Sequence, residues 1–360
     1  MDKYITAVVA SDEFGISKYR LNKLEKDGKL DSEKKGREKF YFVEDILKYL
    51  KEDKISKEKV STEQQKSVED EENEEKGIYD PRNKLNDLTG KEWLPETKSF
   101  FYQKGLGSKH PHAQIERQHP APFSYQDVGR LISFFTKKDD IVLDPFLGVG
   151  STLKAAALLE RQGIGIELSS KWAELAKERL EVEVGEGTSQ KYQIITGDSR
   201  KELQKIEKNS IDFIVTSPPY WAILNKKADH KVKMRVENDL ATNYSDDDLD
   251  LGNVETYEGF LNILCEEIFK QCGEVLKEGK YMAIVVSDFR HKSEFISFHS
   301  DLIQKLNKMS LSDGTILGIQ GVKALLQNHK SLLPYGYPFA YVENIHHQYI
   351  LIFRKSKVKK

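Results

Sequence analysis

Asp144-Pro145-Phe146-Leu147-Gly148-Val149-Gly150-Ser151-Thr152 directly follows the apolar run Ile141-Val142-Leu143 and opens onto the small-residue stretch Ala155-Ala156-Ala157-Leu158-Leu159. This reads as a buried strand, a glycine turn and a helix. Glycines there let the backbone approach a ligand closely, and the helix N-terminus adds the positive end of its dipole. Working outward, short apolar runs recur at Gly163–Ile166, Tyr192–Ile195, Ile211–Val215 and Met282–Val286, separated by helical stretches. Runs apolar throughout are buried on both faces and mark parallel strands. The run Gln348–Phe353 closes the pattern as a further strand. The expected class is α/β, a doubly wound sheet whose ligands lie at the carboxyl ends of its strands.

The next strand ends carry acidic residues. Glu167 closes the second strand, 23 residues after Asp144, where a carboxylate can accept hydrogen bonds from both hydroxyls of a ribose. Asp198, in Gly197-Asp198-Ser199, follows the third strand and suits an exocyclic adenine amine. The plainer reading of either carboxylate is a helix cap. The glycine turn has neither the Gly-x-Gly-x-x-Gly fingerprint of a dinucleotide site nor the Gly-Lys-Ser/Thr of a phosphate loop, so a nucleoside without phosphates is the better ligand.

Strand Ile211–Val215 runs into Thr216-Ser217-Pro218-Pro219-Tyr220-Trp221. Prolines stiffen such a turn and supply carbonyls with no competing N–H, and an aromatic ring can stack on a base swung out of a duplex. Asp-Pro-Phe-x-Gly-x-Gly with a downstream Gly-x-Glu and Gly-Asp-Ser resembles the S-adenosylmethionine site of amino-methylating DNA methyltransferases. Ser-Pro-Pro-Tyr resembles the catalytic tetrapeptide of the same N4-cytosine and N6-adenine enzymes, and His119-Pro120-Ala121-Pro122-Phe123 resembles the segment they place against the methionine end of the cofactor. Further likeness at Asn83–Trp93, Asp250–Asn253 and Asn344–Tyr349 extends the resemblance over residues 79–356.

The resemblance implies a Rossmann-like class I methyltransferase core, a mostly parallel seven-stranded sheet, with S-adenosylmethionine as cofactor. Its cofactor residues would be His119, Pro120, Phe123, Asp144, Pro145, Phe146, Gly148, Gly150, Ser151, Thr152, Glu167, Leu168, Asp198 and Ser199, and its catalytic residues Ser217, Pro218, Pro219 and Tyr220. An exocyclic amine is a poor nucleophile because its lone pair is delocalised, so the site must accept hydrogen bonds from it, as Ser217 Oγ and a prolyl carbonyl can. Serine at the first position is more typical of the cytosine-N4 enzymes, so N4-methylcytosine is the expected product. Adenine-N6 methylation is the nearest alternative, followed by RNA methylation and a cofactor-sensing DNA-binding regulator. Cytosine-C5 chemistry needs a cysteine after proline, a context that neither Cys265 nor Cys272 has. Here the cofactor segment precedes the tetrapeptide, whereas many members with Ser-Pro-Pro-Tyr have the halves permuted. The target-recognition region therefore stays open among Ala222–Asn253, Asp288–His299 and Leu332–Val342.

With 360 residues, Lys+Arg 56 against Asp+Glu 58 gives a net charge of −2, which argues for a localised DNA groove rather than general adhesion. At roughly 150 residues per domain, two domains are allowed. Residues 1–50 resemble the small winged helix-turn-helix modules of MerR-like regulators and excisionases. Tyr4–Val9 is apolar, Gly15 supplies a turn, Ser17 caps a helix over Lys18–Lys26, and Lys34–Arg37 forms a wing. Lys18, Arg20 and Lys23 are the expected DNA contacts of that helix. Residues 51–78, half charged, read as a linker, and 79–360 as the catalytic domain. Lys226, Lys227 and Lys231, from the basic cluster after the catalytic turn, and Arg290 are further expected DNA contacts. Double-stranded DNA is the expected partner, while a cognate restriction endonuclease and the oligomeric state stay open. Two cysteines seven apart form neither a disulfide framework nor a zinc site, and Asp246-Asp247-Asp248 reads as surface, so no metal is expected. No apolar stretch reaches the roughly 18 to 20 residues that span a bilayer, and Met1–Tyr4 lacks a leader pattern, so a cytoplasmic location is expected.

Overall fold

The computed structural model describes residues 4–7, 9–10, 16, 18–35, 38–49, 77–103, 112, 114–119, 124–221, 249–328 and 330–358. The chain divides into two units, Met1–Ile78 and Tyr79–Lys360.

In the first unit β1 (Tyr4–Thr6) and β2 (Ser32–Lys35) flank β3 (Glu38–Phe42) in a three-stranded antiparallel sheet. Helix α1 (Lys18–Lys26) and a helix over residues 43–49 pack on it through Ile5, Leu21, Leu24, Tyr41 and Ile46. Tyr4–Thr6 opens as a strand because it pairs with Phe40–Phe42, a partner more than thirty residues away that local apolar spacing cannot reveal. Of the expected linker over 51–78, residues 51–76 lie outside the described residues.

The second unit is built on β5 (Ile141–Asp144), β6 (Gln162–Glu167), β7 (Gln193–Thr196), β8 (Ile211–Thr216), β9 (Leu276–Val286), β13 (Thr315–Leu326) and β14 (His347–Lys357). Their order is β13-β14-β9-β8-β5-β6-β7. Strands β5 to β9 are mutually parallel and β14 is antiparallel to both its neighbours. This is the expected seven-stranded Rossmann-like sheet. Two short strands, β4 (Phe100–Tyr102) and β12 (Met309–Ser310), add to the outer edge of β13 and bring the total to nine. The long β13 escapes the sequence pattern because its residues are mostly half-buried and it is interrupted by a register shift between Ile319 and Gly321.

Alternation along the strands feeds two cores. Phe213 and Val215 of β8 face helix α3 (Tyr125–Phe135) and its neighbour α4 (Ser151–Leu158), while Ile214 faces the opposite layer. That layer contains α7 (Tyr257–Asn262), continued through a π-helical stretch Ile263–Phe269 and an α-helical Lys270–Val275, and α8 (Phe298–Leu306). Cys265 and Cys272 are both buried in this continuous helix. Helices α5 (Ser170–Glu183) and α6 (Ser199–Glu202) follow β6 and β7. Among the described residues no helix is long and apolar enough to cross a membrane.

Candidate active site

The carboxyl ends of β5, β6, β7 and β8 open on one pocket of about 750 Å³, mouth included. It is lined by His119, Pro145, Phe146, Gly148, Glu167, Leu168, Asp198, Ser199 and the whole turn Ser217–Tyr220. The two halves of the sequence pattern thus meet in one cavity, because parallel strands place all their C-termini at the same edge.

Glu167 is the wall's central polar group. Its Oε2 accepts from Gly148 N–H at 2.8 Å and its Oε1 from Ser169 N–H at 2.8 Å, so two backbone donors fix the carboxylate. Burial nevertheless pushes its pKa up to about 7, with the nearby Asp144 and Asp250 carboxylates adding to the rise. Each oxygen keeps one acceptor site, so two further hydroxyl donors would offset its desolvation. The positive φ of Gly148 and Gly150 turns the chain sharply before α4. The His119 ring lies against Gly148, where a Cβ would come within 3.4 Å of Nε2, and packs edge-on against Trp172 with centroids 5.1 Å apart. Flat apolar walls, a desolvated carboxylate with spare acceptors and a bare glycine turn fit a nucleoside such as the adenosyl part of S-adenosylmethionine.

Four of the expected cofactor residues do not line the pocket. Asp144 is buried beneath it, accepting from Phe146 N–H at 3.0 Å, Thr216 Oγ1 at 2.6 Å and Thr152 Oγ1. Burial raises its pKa despite those donors. Thr152 is consumed by that contact, Ser151 Oγ accepts from Arg179 at 2.9 Å, and Gly150 packs on Ala176. These residues shape the turn and do not line the pocket. Pro120 and Phe123 lie outside the described residues. Asp198 does line the pocket, but it also caps α6, accepting from Arg200 N–H and pairing with the Arg200 guanidinium at 2.8 Å. Ser199 Oγ donates to the Pro145 carbonyl and ties the third strand end to the first.

In the turn Ser217–Tyr220, Pro218 is buried and Ser217 is half-buried. Ser217 Oγ makes no hydrogen bond to another described residue. Tyr220 Oη accepts from Ser287 N–H at 2.9 Å, and its ring packs edge-on against Phe289 and Phe298. The ring is held at a fixed angle on the pocket wall, and burial raises the pKa of its hydroxyl. Trp221 Nε1 donates to the Val254 carbonyl at 2.8 Å, and its ring lies 4.5 Å from that of His291.

The sequence pattern missed Ile166, Trp172, Leu249, Asp250, Leu251 and Ile268 as pocket residues. Ile268 arrives from the π-helical stretch. The only signal for Trp172 is its place on the α5 stripe Trp172, Ala176, Arg179 and Glu183, a helical spacing that looks like ordinary core. Asp250 accepts from Gly252 N–H and so shapes the short turn that closes the pocket floor.

Of the expected DNA contacts, Arg20 and Lys23 lie on an exposed face of α1. Arg20 donates to Tyr49 Oη. Lys18 belongs to the same helix by its backbone, and Lys226, Lys227 and Lys231 lie outside the described residues. Arg290 stands on a hairpin of β10 (Phe289–His291) and β11 (Glu294–Ile296), its guanidinium 5.4 Å from the centre of the Phe295 ring. Among the described residues no cluster of His, Cys, Asp and Glu could hold a metal.

The family model of DNA methylases matches residues 12–178 and 211–360, most of the chain. Among curated proteins, the Type II methyltransferase M.MjaI of Methanocaldococcus jannaschii is 41% identical over 75 residues, 21% of this chain and 24% of that protein. The orphan methyltransferase M.BamHII of Bacillus amyloliquefaciens is 43% identical over 67 residues, 19% of this chain and 25% of that protein. The similar stretch thus spans about a quarter of each of these relatives. Among solved structures, TrmN from Thermus thermophilus aligns at 16% identity and a TM-score of 0.41, covering 71% of this chain and 55% of that one.

Proposed function

Because this chain belongs to the DNA methylase family, we propose that it transfers a methyl group to the exocyclic amine of a base turned out of duplex DNA, with cytosine N4 as the acceptor. Its cofactor is S-adenosylmethionine, which when bound supplies an activated methyl group on a sulfonium. The protein's own task is alignment and desolvation.

In this reading Glu167 accepts from the ribose hydroxyls, and His119 and Trp172 close the far end of the pocket. Ser217 Oγ and the Pro218 carbonyl accept hydrogen bonds from the amine and draw its nitrogen towards tetrahedral geometry. Tyr220, anchored by Ser287, offers a ring to the extruded base. No covalent nucleophile is required. Burial pushes the Cys265 thiol up to about 12, and Cys272 is raised further still, so neither is poised to attack. The observation that carries the reading is that the Ser217–Tyr220 turn and the Glu167 wall face one cavity. Arg290 and the exposed Arg20 and Lys23 are assigned to the DNA backbone, and residues 1–50 to a helix-turn-helix module.

The test is incubation of unmethylated DNA with the protein and methyl-labelled S-adenosylmethionine, followed by mass spectrometry of the nucleosides. Labelled N4-methyldeoxycytidine is expected. Labelled N6-methyldeoxyadenosine would overturn the base assignment alone, and label on neither base would overturn DNA methylation. Ser217→Ala should lower kcat by about 10²–10³ with cofactor affinity retained, the scale of losing one aligned polar group in the transition state.

A further inference from the structure

Outside the pocket lining, four ionisable side chains pack together, three of them buried and Glu116 partly exposed. Lys154 and Arg179 are fully buried, Glu183 pairs with both, and Glu116 pairs with Arg179. Lys154 Nζ reaches Glu183 Oε2 at 2.6 Å and lies 3.6 Å from the centre of the Tyr125 ring. Arg179 spends its fork on four acceptors: Glu183 Oε2 at 2.9 Å, Ser151 Oγ at 2.9 Å, the Val149 carbonyl at 3.3 Å and Glu116 Oε2 at 2.7 Å. Two of those acceptors belong to the glycine turn and the first turn of α4. Glu116 belongs to the segment that ends in His119.

We propose that Arg179 is a positioning residue for the cofactor pocket, latching the His119 segment down onto the Gly148 turn through Glu116. The proposal rests on the reading of that pocket as the S-adenosylmethionine site. The stripe that carries Arg179 explains its reach. Trp172 and Arg179 stand seven residues apart on one face of α5, so one helix face grips the segment twice. The ring of Trp172 meets His119 and, with Val149, buries Ile115, while the guanidinium holds Glu116. The apolar contacts alone would let the segment slide, because dispersion is not directional. The charge-assisted bond fixes its register. Lysine at 179 could keep the charge but not four simultaneous donors.

Glu116→Gln keeps the volume of the side chain and removes the charge, and Arg179→Lys keeps the charge and removes the fork. Both are expected to raise the calorimetric Kd for S-adenosylmethionine and the KM for it by about tenfold or more, the scale of a misplaced pocket wall. The kcat at saturating cofactor should stay within about twofold of wild type, because the amine-binding turn is untouched. A merely structural role would lower the melting temperature and the folded fraction without changing Kd per folded molecule. That outcome for Glu116→Gln, the milder variant, would overturn the proposal. Wild-type protein that bound no S-adenosylmethionine would overturn the cofactor reading and this proposal with it, whereas wild-type binding with an unchanged Glu116→Gln would overturn this proposal alone.

Discussion

Thr216 Oγ1 donates a 2.6 Å hydrogen bond to Asp144 Oδ1, joining the last residue of β8 to the last residue of β5. Asp144 opens the glycine turn and Thr216 immediately precedes Ser217, so in the proposed reading this bond registers the methyl-donor side of the pocket against the acceptor side. Thr216→Val matches the shape and deletes the donor. Asp144 Oδ1 would keep Phe146 N–H but lose its second donor, at a cost of about 1–3 kcal/mol in folding stability. Because the bond aligns the two reactants, kcat should fall more than the affinity for either of them. Chemical denaturation and single-turnover methyl transfer would check the two effects. Unchanged kcat in a destabilised variant would limit Asp144–Thr216 to a structural role.

The proposed role of Glu167 predicts that cofactor binding depends on pH near neutrality. In the ligand-free protein burial pushes its pKa up to about 7 from 4.5, so folding favours the protonated form. That stabilising contribution is fully present below the unfolded value and is lost as pH rises through about 7. The cofactor's hydroxyls need the ionised form as acceptor. Binding should therefore release a proton, and Kd should rise about tenfold per unit as pH falls below 7. Glu167→Gln should remove the pH dependence, weaken binding at pH 8 and stabilise the ligand-free protein there. Calorimetry in buffers of different ionisation enthalpy measures the released proton, and a Kd flat between about pH 5.5 and about pH 8.5 would contradict the linkage.

Gly165 on β6 lies directly under the glycine turn, where a Cβ would sit 2.6 Å from Leu147 Cδ2. Leu147 N–H donates to the Ile166 carbonyl, so the turn is seated on this strand. Gly165→Ala must displace Leu147, and overpacking of this kind costs about 1–3 kcal/mol. The displacement also moves Gly148, one of the two backbone donors that fix Glu167, so cofactor affinity should fall together with the melting temperature. An alanine variant with wild-type affinity would show that the turn absorbs the shift elsewhere.

What could be read from the chain beforehand was whatever depends on local pattern. The strand ends at Asp144, Glu167, Asp198 and Ser217 follow from apolar runs and turn chemistry, and their meeting in one cavity follows from parallel strands. What could not be read depends on contacts distant in sequence. Asp144 looked like a ligand group because it stands in the motif, yet Thr152 and Thr216 claim its carboxylate from below. Arg179 stands in no local motif, and one of its acceptors, Glu116, lies more than sixty residues earlier. Tyr4–Val9 read only as an apolar stretch, and its first residues are a strand because β3 pairs with them, while Thr315–Leu326 hid its strand behind half-buried residues and a register shift.

The loop between β13 and β14 is rooted beside the catalytic turn. Ser287 N–H donates to Tyr220 Oη while Ser287 Oγ donates to the carbonyl of His347, where β14 begins. From that root the loop carries aromatic rings into solvent, with Tyr337, Phe339 and Tyr341 80%, 94% and 85% exposed. It is held in shape at its base, where the Asn344 side chain accepts from Leu333 N–H at 3.0 Å and donates to the Leu333 carbonyl at 2.9 Å. Exposed rings of this kind stack on unpaired bases or wedge between base steps, worth about 1–3 kcal/mol per base. The double variant Tyr337→Ser, Phe339→Ser should therefore lower kcat/KM for duplex DNA by about tenfold or more, while leaving the cofactor Kd and the melting temperature near wild type, because neither ring is packed in the core. A steady-state comparison on a duplex and on the same target placed opposite an abasic site would separate the two modes. A defect relieved by the abasic partner assigns the rings to opening the duplex, a defect equal on both assigns them to holding the strand, and no defect on either removes the loop from the DNA path.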